Sequence, residues 1–144
     1  MRTIYLVPII LLFMSCNSMK NSAKASSDKS DLCTNLHSSQ NHGHENASDI
    51  VIGTQEELES LYKSVGKDDI PAIDFTKSQV VVLFLGAKNT GGYSISIDRV
   101  EEENGKLVVY KKIEKPAPGA MVTMALTSPF VIAEIKSKKE IIFK

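Results

Sequence analysis

The run Gln79-Val80-Val81-Val82-Leu83-Phe84-Leu85 constrains this chain more than any other feature. It is apolar and rich in β-branched residues, with no polar face, so it reads as a central strand buried on both sides. Such a strand needs a packed layer on each face. The rest of the chain has to supply both.

On its C-terminal side the pattern becomes period-two. Tyr93, Ile95 and Ile97 fall on one face and Ser94, Ser96 and Asp98 on the other. Glu103-Asn104-Gly105 is a hairpin signal. Further strands are predicted over 106–114, 121–126, 130–136 and 139–143. On the N-terminal side, 50–52 reads as a short strand. Thr54-Gln55-Glu56-Glu57 is a capping box. Leu58, Leu61, Tyr62 and Val65 follow at helical spacing, and Gly66 sits where a left-handed cap is wanted. The predicted class is α+β, mostly β: an antiparallel sheet or sandwich of about six strands with one N-terminal helix.

The N-terminus has a different character. Arg2 precedes an apolar run over 5–14, which is shorter than the roughly 20 residues of a spanning helix. It fits the apolar core of a secretory signal. The run ends at Phe13-Met14-Ser15-Cys16, which resembles a bacterial lipobox, with Leu and a small residue replaced by Phe13 and Met14. That resemblance implies lipidation of Cys16 and a lipid-anchored protein of the cell envelope. Asn17 after Cys16 points to the outer membrane if the organism is Gram-negative. Residues 17–48 are rich in Ser, Asn, Lys and Asp and poor in apolar residues, and read as a flexible tether. Such a tether would reach roughly 30 Å. The expected organisation is therefore signal over 1–15, lipidated Cys and tether over 16–48, and one domain over 49–144.

That domain of 96 residues is large enough for one core. Its 13 Lys and Arg against 14 Asp and Glu leave it nearly neutral, without the basic stripe of a nucleic-acid binder. All three His and both Cys lie before residue 49. The usual general base and the Ser-His and Cys-His nucleophile pairs are thus missing from 49–144. A binding module is expected, with no catalytic residue and no cofactor.

Three segments stand out as candidate contacts: Asn89-Thr90-Gly91-Gly92-Tyr93, Pro116-Ala117-Pro118-Gly119, and Ser128-Pro129-Phe130. Adjacent glycines permit positive φ or close backbone approach. Proline-stiffened loops lose little entropy on binding. Phe130 is expected in the core. Together with the run 80–86, these segments resemble the C-terminal domain of PrcB-type protease-complex proteins. The resemblance implies a partner-binding domain that supports assembly or stability of a protease complex. It implies neither catalytic residues nor a cofactor. A second resemblance is to chagasin-type inhibitors of cysteine proteases, which present three loops from one end of a β-sandwich. Here the first loop lacks its Pro, the second has one Gly, and Ser128 replaces Arg. Both resemblances imply that the three loops cluster at one end. A structural envelope lipoprotein without any protease is the third alternative.

Cys33, His37, His42 and His44 form C-x3-H-x4-H-x-H, soft and borderline ligands for a metal. With no scaffold to fix their geometry in a tether, they are expected to be solvated rather than ligating.

Overall fold

The computed structural model describes residues 32–144. The signal run, Cys16 and the first part of the expected tether lie outside them. Seven strands and one helix follow in order: β1 (Cys33–Ser39), β2 (Ser48–Ile52), α1 (Gln55–Ser64), β3 (Gln79–Phe84), β4 (Ser94–Glu103), β5 (Lys106–Glu114), β6 (Phe130–Ile135) and β7 (Ile141–Phe143). They form a four-stranded sheet, β1-β6-β3-β2, and a three-stranded sheet, β4-β5-β7. All pairings are antiparallel except β5 with β7. Among the described residues the mostly β, sandwich-like reading with one helix holds, with seven strands where about six are expected.

The central strand is β3, as its sequence demands, and every one of its residues is buried. Its alternation divides the core. Val80, Val82 and Phe84 pack with Leu58, Leu61, Tyr62 and Val65 of the helical side. Val81 and Leu83 face the second sheet, among Leu107, Ile95 and Ile97. β6 splits in the same way, with Phe130 and Ile132 under the helix and Val131, Ala133 and Ile135 under the second sheet. Each fully buried aliphatic side chain contributes roughly 1.5–3 kcal/mol, so both layers are needed to hold β3.

Local signals set the helix. Thr54 Oγ1 accepts from the Glu57 N–H at 3.3 Å, and Glu57 Oε2 accepts from the Gly53 N–H at 3.0 Å. At the far end Gly66 has φ +67°, the Lys67 N–H reaches the Tyr62 carbonyl and the Gly66 N–H the Lys63 carbonyl. That is a Schellman closure. The Gln55 side chain then clamps the returning loop through the Pro71 carbonyl and the Ile73 N–H, which lays Ile70, Ile73 and Phe75 on the helical core. Asn104 and Gly105 both take positive φ, 53° and 79°, in the β4–β5 hairpin turn.

Two expectations are corrected. The tether read as reaching residue 48 ends earlier, because Cys33–Ser39 is strand β1 at the edge of the larger sheet. β1 is held by its backbone ladder to β6, with Leu36 its one apolar side chain against the helical core and the His37 ring beside Phe130, so its polar composition hides it. The domain boundary expected at residue 49 moves forward accordingly. The strand predicted over 121–126 does not form. Residues 115–129 run as a loop, in which Pro116 and Pro118 lack the N–H groups a ladder requires.

Candidate functional site

Strands β1, β3 and β5 run toward one end of the molecule, and β2, β4 and β6 return from it. Loops 40–47, 85–93 and 115–129 therefore meet there, and backbone hydrogen bonds join them. The Ala87 N–H donates to the Glu45 carbonyl at 2.8 Å, Gly43 N–H to Ser128 at 3.0 Å, and Ser128 N–H to Gln40 at 2.9 Å. Lys88 and Thr127 form an isolated antiparallel bridge, and Leu85 N–H donates to the Pro129 carbonyl. The expected clustering of the three loops is present, and 40–47 joins them as a fourth element.

The individual residues divide by burial. Asn89 is exposed; Thr90 is half-buried and its carbonyl accepts from Thr127 Oγ1 at 2.9 Å. Gly91 is buried, donates to the Thr123 carbonyl, and has no room for a Cβ beside Thr123 Oγ1. Gly92, at φ +85°, lies against Pro116 and Val122. The glycine pair thus provides both positive φ and close approach. Tyr93 is half-buried on the core beneath the second sheet. Pro116 is half-buried. Pro118 and Gly119, both exposed, occupy the centre of a turn closed by the Ala120 N–H on the Ala117 carbonyl, with Gly119 at φ +78°. This is the residue pattern of a type II turn. Pro129 and Phe130 are buried and belong to the fold, so Pro129 presents no free surface.

The sequence pattern missed the most conspicuous part of this end. Met121 is 103 % exposed, Met124 88 % and Leu126 77 %. Isolated exposed apolar residues are common, but three within six positions on one pinned loop make an adaptable apolar contact. Their apolar character had signalled a strand. The prolines upstream were the available sign that the ladder stops.

Of the four residues expected to be solvated in the tether, His37, His44 and Cys33 are packed against the fold. His44 stacks on Phe84 with ring centroids 3.9 Å apart, and His37 lies 5.6 Å from the Phe130 ring. His37 Nε2 is buried without a hydrogen-bond partner, and burial, then the Lys67 charge, hold its pKa below the usual histidine value. His42 is exposed, and Cys33 packs at the edge of the core. Among the described residues no group of three or more His, Cys, Asp or Glu is placed to hold a metal ion. The absence of His and Cys noted for 49–144 therefore does not extend to the folded domain. One hydroxyl–imidazole contact exists, His44 Nε2 to Ser64 Oγ at 3.3 Å. Ser64 Oγ, however, donates to the Leu61 carbonyl at 2.7 Å, so its proton is directed to backbone rather than to the imidazole.

The loop end coincides with a recognisable sequence family. Residues 79–136 match the PrcB C-terminal family. The matched PrcB C-terminal segment runs from β3 through β6 and contains loops 85–93 and 115–129 whole, so the resemblance read in the sequence is supported. β1, β2, α1 and β7 lie outside it. No curated protein and no solved structure matches the chain. Among the described residues no helix is long and apolar enough to cross a membrane.

Proposed function

We propose that this chain is a non-catalytic, lipid-anchored envelope protein whose loop end binds a protein partner and supports assembly or stability of a protease complex. The observation that carries the reading is the exposure of Met121, Met124 and Leu126 on a loop inside the PrcB C-terminal segment. The loop is pinned at Gly91–Thr123 and Lys88–Thr127, so its apolar side chains are presented with limited entropy cost. The family name supplies the protease link. Anchoring at Cys16 rests on the lipobox-like sequence.

A second reading, inhibition of a protease in the chagasin manner, draws on the meeting of loops 85–93 and 115–129 at one end. The two are separated by activity. The full chain is immobilised and incubated with fractionated envelope and secreted peptidases, and bound peptidase activity is followed over time and temperature. A bound peptidase whose half-life lengthens supports the assembly role. One that is bound and silenced installs the inhibitor instead. The Met121→Ser/Met124→Ser double variant should release either partner while its unfolding free energy in urea stays within about 0.5 kcal/mol of the parent, because both side chains are solvated. Retention of the partner by that variant overturns the assignment to this loop.

A further inference from the structure

β2 is the outer strand of the larger sheet, and its Val51 is 41 % exposed. An edge of this kind carries backbone donors and acceptors that pair with any extended chain laid beside it. Most edges are covered or blunted by charge. Here α1 crosses the helix-side face next to β2 and leaves a groove between them. Its floor is Ile50, Ile52 and Leu61; its wall is Glu56, Glu57, Ser60 and Ser64, with His44 beside Ser64. The two serines keep the wall low, since each hydroxyl turns back to its own helix, Ser60 to the Glu56 carbonyl and Ser64 to that of Leu61.

The carboxylates of this groove face no Lys or Arg among the described residues; the His44 ring closes its Ser64 end, with Nε2 3.3 Å from Ser64 Oγ. The Glu56 carboxylate makes no ion pair or hydrogen bond among the described residues. Glu57 uses one oxygen on the Gly53 N–H and has no cation beside it. Asp49, on the opposite face of β2, is already matched by Lys111 at 2.6 Å. A negative wall over an apolar floor suits a long basic side chain, whose methylene stem covers apolar surface while its head stays solvated.

We propose that an extended, basic peptide segment of a partner protein adds to the free edge of β2 as a fifth strand. Its helix-facing Lys or Arg side chains run across Ile50 and Leu61 toward Glu56 and Glu57. Strand addition supplies affinity through main-chain hydrogen bonds and selectivity through alternate side chains. A second copy is disfavoured as the occupant, since β2 against β2 brings two uncompensated acidic walls together. The site lies on the helical side, meets the loop end only at His44, and does not depend on the function proposed for that end.

The test is titration of the isotope-labelled full chain with a capped seven-residue peptide alternating lysine and valine, read by amide chemical shifts. Shifts concentrated at 48–52 and 56–64 are expected. The same peptide with glutamate for lysine, and one N-methylated at alternate residues to block the ladder, should each bind at least about tenfold more weakly. Glu56→Lys should weaken the lysine peptide by about fivefold to tenfold, the scale of one exposed charge pair reversed. Ser60→Trp, which fills the groove from a solvated position, should abolish the shifts. Equal binding of the glutamate or N-methylated peptide overturns the proposal. So do shifts confined to 85–93 and 115–129, no shift at millimolar peptide, or β2 shifts that follow protein concentration alone.

Discussion

Lys88 and Thr127 exchange both backbone hydrogen bonds, at 2.7 and 2.9 Å, outside any strand. The pair ties the loop after β3 to the loop before β6. Thr127 is 8 % exposed, and its hydroxyl adds a third link, to the Thr90 carbonyl. Thr127→Val keeps the shape and deletes that link, leaving the Thr90 carbonyl short of a partner. The expected loss is about 1 kcal/mol in urea unfolding. Amide exchange at Gly91 should quicken, because the same loop carries its bond to Thr123. Thr127→Ser should restore both values. A valine variant with unchanged exchange at Gly91 would show that the hydroxyl does not pin the loop.

Gly92 and Gly119 both have positive φ, but their surroundings differ. A Cβ on Gly92 would stand 3.2 Å from Pro116 Cβ and 3.3 Å from Val122 Cγ1, whereas one on Gly119 meets nothing within 4 Å. Gly119→Ala should therefore cost only the left-handed backbone term, about 1–2 kcal/mol. Gly92→Ala should cost that and a further displacement of the proline loop, visible as shifts at Val122 and Thr123. Equal losses in thermal unfolding would mean that Gly92 is required for its φ alone.

β1 closes the free side of β6 along 33–39, and the following loop adds the His44–Phe84 stack and the Gly43 and Glu45 backbone bonds. A chain beginning at residue 47 loses all of these and exposes the β6 edge next to Phe130 and Ile132. Net stabilities of small domains are only about 5–15 kcal/mol, so this is a large share. Such a chain is expected to bind a hydrophobic dye and unfold without a cooperative transition. Leu36→Ala in the full chain is the milder version and should cost about 1–3 kcal/mol, less than full burial implies because Leu36 is only partly buried. A cooperative transition from the chain beginning at 47 would mean that β1 is dispensable.

How much of this was legible in the sequence depends on what holds each element. β3, β5 and β6 stand close to where apolar content put them, and α1 starts at the Thr54 cap and ends at Gly66, because those signals are local and side-chain based. β1 was invisible, since Thr34, Asn35 and Ser38 earn their place through ladder bonds to β6 that no local pattern encodes. Met121, Met124 and Leu126 misled in the opposite direction, being apolar but solvent-facing. Of the candidate contacts, the Gly91-Gly92 pair and the proline turn were readable as special backbone. The burial of Pro129 was not, because it follows from the Leu85 bond across the fold.

His37 offers a pH handle. Its ring sits against Phe130, with Nε2 buried and unpartnered, in a pocket shared with Leu36, Tyr62, Lys67, Asp69 and Pro71. Burial, followed by the Lys67 charge, lowers its folded-state pKa from the ordinary 6.5. The unfolded chain then binds the proton more readily, so it gains stability relative to the fold as pH falls. The contribution of neutral His37 is complete above about pH 6.5 and declines as pH drops from there toward the lower folded value. Asp74, Glu103 and Glu114 also have lowered pKa values, led by the hydrogen bonds from Thr76, Tyr110 and Lys112, but their loss belongs to the more acidic carboxylate range. Urea midpoints of the parent should therefore fall between pH 7.5 and 5. His37→Gln, neutral throughout, should flatten that interval and leave the steeper fall below pH 4.5 in place. An unchanged slope in the glutamine variant would mean that His37 does not govern the transition.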